Sequence, residues 1–235
     1  MNTNSNKYIF IYSVIMVVVV AFVLAFIATQ LKPRQQKNIE IEKKRNILST
    51  IHVESTTENA EQLFSKHVVD MFSVNVAGEI IKGTNPLYCD KKAEFTKPAP
   101  QRELPVFVAK SADGNTKYII PLLGKGLWGP ISGYVCLNED MKTVYGAIFM
   151  HKSETPGLGA EISTSWYQAQ FDGKQIYDST GNFTSVRVVK GGADKSDKHA
   201  VDAITGGTIT SNGLNEMLFD GLKQYDSYFK KMANK

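Results

Sequence analysis

"KYIIPLLGKGLWGPISGYVCL", Lys117 to Leu137, decides the fold. Two apolar runs rich in β-branched and aromatic residues, 117–123 and 131–137, flank "GKGLWG", Gly124 to Gly129. The hexapeptide matches the G-x-G-x-x-G pattern of dinucleotide sites. That pattern needs a strand before it and a helix after it, so that a pyrophosphate meets a helix N-terminus. Here Pro130 and another β-rich run follow, so the glycines read as a turn between two strands. Trp128 in that turn has two readings, a cap on the core or a flat face offered to a ligand.

Working outward, "VFVA" (106–109) and "TVYGAIFMH" (143–151) read as further strands, joined by turn residues at 113–114 and 138–140. "SVRVVK" (185–190) is another strand. Helical spacing of apolar residues predicts helices over 35–51, 57–73, 160–171 and 211–233. The last carries Leu214, Met217, Leu218, Leu222, Tyr225 and Phe229 along one stripe. Residues 82–105 read as a surface loop. The pattern is α+β: a twisted, mainly antiparallel sheet with helices packed on it.

The chain has 235 residues, 43% apolar and 21% charged, with a net charge of +4. Such a composition buries a core and is too apolar for disorder. The basic residues form no face interleaved with aromatics, which argues against nucleic-acid binding. "YIFIYSVIMVVVVAFVLAFIA", Tyr8 to Ala28, holds no charge, Pro or Gly. As a helix it is about 30 Å long, the thickness of a bilayer core. It is longer than the apolar region of a cleaved signal and reads as an anchor that stays. The expected division is a short tail (1–7), a transmembrane helix (8–31), a helical linker (32–55) and a globular domain (56–235). Lys32, Arg34, Lys37, Lys43, Lys44 and Arg45 follow the span, against Lys7 before it, and this count alone keeps the domain in the cytoplasm.

Cys89, Cys136 and four scattered histidines offer no metal-binding spacing; one disulfide is possible outside the cytoplasm, and the sequence leaves open whether the two cysteines pair. Two other stretches carry chemistry. "HKSETPGLG" (151–159) closes a strand with a tight loop, where Glu154 and Thr155 supply polar atoms, Leu158 an apolar tip, and Gly157 and Gly159 room for close approach. It is either a holder for a flat heteroaromatic ring or a plain turn with Thr155 capping and Leu158 tucked inward. "TGGTIT", Thr205 to Thr210, opens the last helix. Thr210 or Ser211 serves there as an N-cap, or the exposed amides of Gly206 and Gly207 and a threonine oxygen hold a phosphate. No base and nucleophile pair lies nearby, which argues against a hydrolytic triad.

Together these stretches, with "GLWGPISGY", resemble the C subunits of Na+-translocating NADH:quinone oxidoreductases over nearly the whole chain. The G subunits of the ion-translocating Rnf complex carry similar motifs and are one alternative; a membrane-tethered interaction protein without cofactor is the other. The resemblance implies an FMN-binding domain on one transmembrane helix, standing in the periplasm at the bacterial inner membrane, which opposes the charge count. It implies FMN bound covalently through a threonine phosphoester, attached by a separate flavin transferase, and an electron relay among other membrane subunits. The family motif is written Ser/Thr-Gly-Ala-Thr-x-Ser/Thr, with the last hydroxyl esterified. Thr205, Gly206, Gly207, Thr208, Ile209 and Thr210 fill its places, Gly207 standing for Ala, and Thr210 is the implied attachment residue. Asp202 matches an upstream acidic residue, and Glu154, Thr155, Gly157, Leu158, Gly159 and Trp128 are implied to lie beside the isoalloxazine.

Overall fold

A computed structural model describes residues 5–233, apart from the side chain of Phe95. Residues 1–4 of the expected tail and 234–235 of the expected domain lie outside the described residues. Two compact units meet between Glu42 and Lys43. The first holds α1 (Asn6–Ser49) up to Glu42, a helix that runs through Pro33, and residues 43–49 of that helix belong to the second. Its best 18-residue window has a mean hydropathy of 3.0, long and apolar enough to cross a membrane.

The second unit is organised on a six-stranded sheet in the order β2-β1-β3-β4-β5-β6. The strands are β1 (Val68–Val74), β2 (Ile80–Ile81), β3 (Leu104–Lys110), β4 (Thr116–Lys125), β5 (Pro130–Leu137) and β6 (Val144–His151). Every neighbouring pair is antiparallel. The central strands read as unbroken apolar runs because both faces are covered. Ile120, Leu122, Ile131, Val135 and Leu137 point to one core, while Ile119, Tyr134 and Cys136 point to the other. The first core is closed by α5 (Thr208–Lys223) and α6 (Asp226–Ala233), through Leu214, Met217, Leu218, Leu222 and Phe229. The second is closed by Ile47, Leu48 and Ile51 at the end of α1 and by Phe64 of α2 (Ala60–His67).

Three elements depart from the expected pattern. The helix expected over 57–73 stops at His67, and Val68–Val74 becomes β1, paired with β3. The adjacent β-branched Val68 and Val69 favour extended backbone, and a free edge of β3 offers a full ladder of partners. The helix expected over 211–233 begins earlier, at Thr208, and breaks at Gln224–Tyr225, where the Tyr225 hydroxyl donates to the Pro105 carbonyl at 3.0 Å. Within the expected surface loop 82–105, a short helix α3 (Lys91–Thr96) forms, capped by the Asp90 carboxylate on the Lys92 and Ala93 N–H groups. Residues 160–171 do form short helical turns, Gly159–Ser163 and α4 (Ser165–Gln168). Residues 185–190 contribute β7 (Arg187–Val189), which pairs in parallel with β8 (Ala200–Asp202). Cys89 and Cys136 are both free.

Candidate functional site

The β4–β5 hairpin ends in a turn closed by the Gly126 N–H donating to the Gly129 carbonyl at 2.8 Å. The glycine hexapeptide is therefore a strand connection, as its flanks require. Beside it, β6 ends at His151, and the Glu154 N–H donates back to the His151 Nδ1 at 3.2 Å. The chain then reverses at Thr155, whose carbonyl accepts from the Leu158 and Ala160 N–H groups. This aims the Glu154 side chain into the protein.

Glu154 is the junction of the site. Its carboxylate accepts from the Trp128 N–H at 2.8 Å and from the Thr210 hydroxyl at 2.5 Å. One side chain thus ties the hairpin turn, the loop after β6 and the first turn of α5. The missing Cβ of Gly126 and of Gly159 makes this possible, since a Cβ at either would sit 2.6 Å from a carboxylate oxygen. Burial pushes the Glu154 carboxyl up. The Thr210 hydroxyl, the Trp128 and Leu127 N–H groups and nearby His151 outweigh that and hold it below the usual carboxylate range. It is ionised at neutral pH.

The start of α5 has a different form from either capping expectation. The N-cap is Gly207, with no side-chain cap, so neither Thr210 nor Ser211 serves in that role. The Ser211 hydroxyl accepts from the Ile204 N–H instead, at 3.0 Å. The first-turn N–H groups have no acceptor within the helix, and the macrodipole adds positive character there. Gly206, at a φ of 76°, takes the left-handed turn that leads in, and Leu158 lies directly over it.

The structure places Thr210, the expected attachment residue, inside the fold. Thr210 is only 2% exposed, and its hydroxyl is engaged with a buried carboxylate. A phosphoryl group on that oxygen would face Glu154 as anion against anion and would need the three segments to part. Thr208, the first residue of α5, is exposed. Glu154, expected beside a ring, is 5% exposed, with its carboxylate turned into the protein. Trp128 is 65% exposed, which excludes the core-capping reading, and Leu158 is exposed rather than tucked inward. Thr155, Gly157 and Thr205 are exposed, and Gly157 donates its N–H to the Glu161 carboxylate. Asp202 is exposed, and its carboxylate accepts from the Ala193 N–H at 2.7 Å, bracing a neighbouring turn.

Sequence reasoning passed over Leu127 and Ile209. Both are exposed apolar side chains, in the hairpin turn and in the first turn of α5. The signal was available: each is a large apolar residue in a stretch whose glycines and hydroxyls place it at the surface. With Trp128 and Leu158 they give an apolar surface around a helix start that favours an anion. An exposed threonine at that helix start, with the flat Trp128 ring and exposed aliphatic side chains, fits a phosphate-bearing planar heteroaromatic such as FMN.

The arrangement defines a flavin-binding class of domain, and a family model described as an FMN-binding domain matches residues 126–223, a span that contains all three converging segments. The C subunit of Na(+)-translocating NADH-quinone reductase from Pasteurella multocida is 31% identical over 219 residues, covering 83% of this chain and 81% of that protein. The crystal structure of the corresponding subunit from Parabacteroides distasonis superposes with a TM-score of 0.78 at 41% identity, covering 85% of this chain and 96% of that one. NqrC of Shewanella oneidensis superposes with a TM-score of 0.73 at 26% identity, covering 84% and 99%. The chain belongs to the family of C subunits of Na(+)-translocating NADH-quinone reductases.

Proposed function

We propose that this chain is the membrane-anchored FMN carrier of a sodium-translocating NADH:quinone reductase, with the cofactor esterified to Thr208 and electrons relayed through it towards quinone. The observation that carries the reading is the exposed Thr208 hydroxyl at an uncapped helix start, beside the exposed apolar side chains of the β4–β5 turn and the loop after β6. The first-turn N–H groups of α5 orient the phosphate, and Trp128, Leu158 and Ile209 flank the ring. When bound, FMN supplies reversible uptake of electrons, while the protein sets its position and potential. A phosphoester leaves the ring chemically ordinary and prevents loss of the cofactor.

The long apolar helix α1 supports a single-pass anchor in the bacterial inner membrane, among the other membrane subunits of the complex. The flavin transferase acts on the domain from the periplasmic side. The charge count near the span opposes this orientation, but that rule reads a bias and is weak for a single span before a long domain. The motif resemblance is what favours the periplasmic placement.

Expression with a flavin transferase, followed by a denaturing gel under ultraviolet light, tests the reading. A fluorescent band at the size of this chain is expected, absent in Thr208→Ala and retained in Thr210→Ala. A band lost only in Thr210→Ala would return the bond to the buried threonine. A dark native band would remove the covalent cofactor altogether.

A further inference from the structure

Glu154 is more than a clip. A clip joining the Trp128 N–H and the Thr210 hydroxyl needs an acceptor and a hydrogen-bonding partner, both of which a neutral Gln provides. A carboxylate at 5% exposure carries a desolvation cost that a Gln avoids. Among the described residues no Lys or Arg forms an ion pair with it. The sequence neighbours Lys125 and Lys152 are exposed. Its stabilisation comes from hydrogen bonds and the nearby His151, and the balance of these keeps it ionised. The carboxylate also lies close under the surface. A Cβ on Gly126 or Gly159 would overlap its oxygens, and the residues next to these glycines, Leu127, Trp128 and Leu158, are exposed apolar side chains.

We propose that Glu154 is a positioning residue that also lodges an uncompensated negative charge beneath the flavin site and thereby lowers the reduction potential of the flavin held there. This rests on the reading that FMN occupies that surface. A fixed anion close to a group that gains electrons disfavours the reduced form, and low exposure weakens the solvent screening that would erase the effect. The positive pole of α5 opposes the charge only in part, because it is an equivalent of about half an elementary charge.

Glu154→Gln separates charge from shape. The full chain is expressed with a flavin transferase, purified in detergent and titrated spectroelectrochemically, with the native chain alongside. The native chain first shows that flavin is present; its absence defeats the underlying reading, not the role of the charge. With flavin present, Glu154→Gln is expected to fold with a cooperative melt and native tryptophan fluorescence while the potential moves upward. Glu154→Ala, which loses both charge and clip, is expected to move the potential upward and also to alter the Trp128 emission. An unchanged potential in a folded, flavin-loaded Glu154→Gln overturns the proposal. So does a Gln variant that folds yet takes up no flavin, because the charge would then serve loading rather than potential. A Gln variant that fails to fold while Thr210→Val folds also overturns it, since the charge would then be a requirement of the fold.

Discussion

Thr208 and Thr210 stand two places apart and face opposite ways. The difference was present in the sequence as helical phase. Thr210 lies four residues before Leu214 and seven before Met217, both buried, so it belongs to the inward stripe of α5. Thr208 falls off that stripe. A motif names which residue types are present; only the phase says which hydroxyl reaches solvent. Thr210→Val removes one of the donors to an ionised buried carboxylate, and such bonds contribute about 1.5–3 kcal/mol. The variant is expected to melt at lower temperature by roughly that free energy and still to carry flavin. The acid response follows from Glu154. Its folded carboxyl is held below the usual range, so its contribution to stability is complete above the unfolded value and is lost as pH falls through the folded one. Thr210→Val lets that carboxyl rise, so circular-dichroism melts between about pH 3 and 6 are expected to show acid destabilisation beginning at higher pH than in the native chain. A coincident acid profile would contradict the geometry around Glu154.

Among the elements, the four strands β3 to β6 were legible because the sheet is covered on both faces, which writes long apolar runs into them. The segment 57–73 was not, because Leu63, Phe64, Val68, Met71 and Phe72 also fit a helical period, and only pairing with β3 resolves the ambiguity. Helix α5 sits so close to the end of β4 that a Cβ at Gly213 would overlap the Lys125 carbonyl. Gly213→Ala is therefore expected to lower stability, by about 1–3 kcal/mol for overpacking, despite the better helix propensity of alanine. A melt equal to or above that of the native chain would show that α5 can shift without cost. Helix α3 carries the opposite case. Burial, and then the charge of Lys43, push the Lys91 ammonium down to about 7. It sits 3.5 Å from the Leu122 carbonyl and 4.9 Å above the Tyr134 ring. A lysine whose folded value is lowered costs stability at neutral pH, and that cost fades as pH rises from about 7 towards 10.5. Lys91→Met is expected to melt higher than the native chain at pH 7, with the gain shrinking in alkaline buffer. A gain independent of pH would mean that the charge is not its source.

For the whole molecule, composition located the long apolar helix, and the division drawn from the sequence starts the globular domain at residue 56. Ile47, Leu48 and Ile51 are all but fully buried in the second core, so the last turns of α1 belong to the folded domain. A soluble fragment beginning at residue 35 is expected to give a cooperative melt, and one beginning at residue 56 to aggregate or melt broadly. Equal melts would show that the end of α1 is dispensable. The central claim is a bond from the Thr208 oxygen to the phosphate of FMN, and mass spectrometry of the peptide carrying residues 205–213 from mature chain tests it most directly. Fragment ions are predicted to carry the flavin mononucleotide mass on Thr208 and to leave Thr210 unmodified. An adduct on Thr210, or a peptide of unmodified mass, would contradict the account.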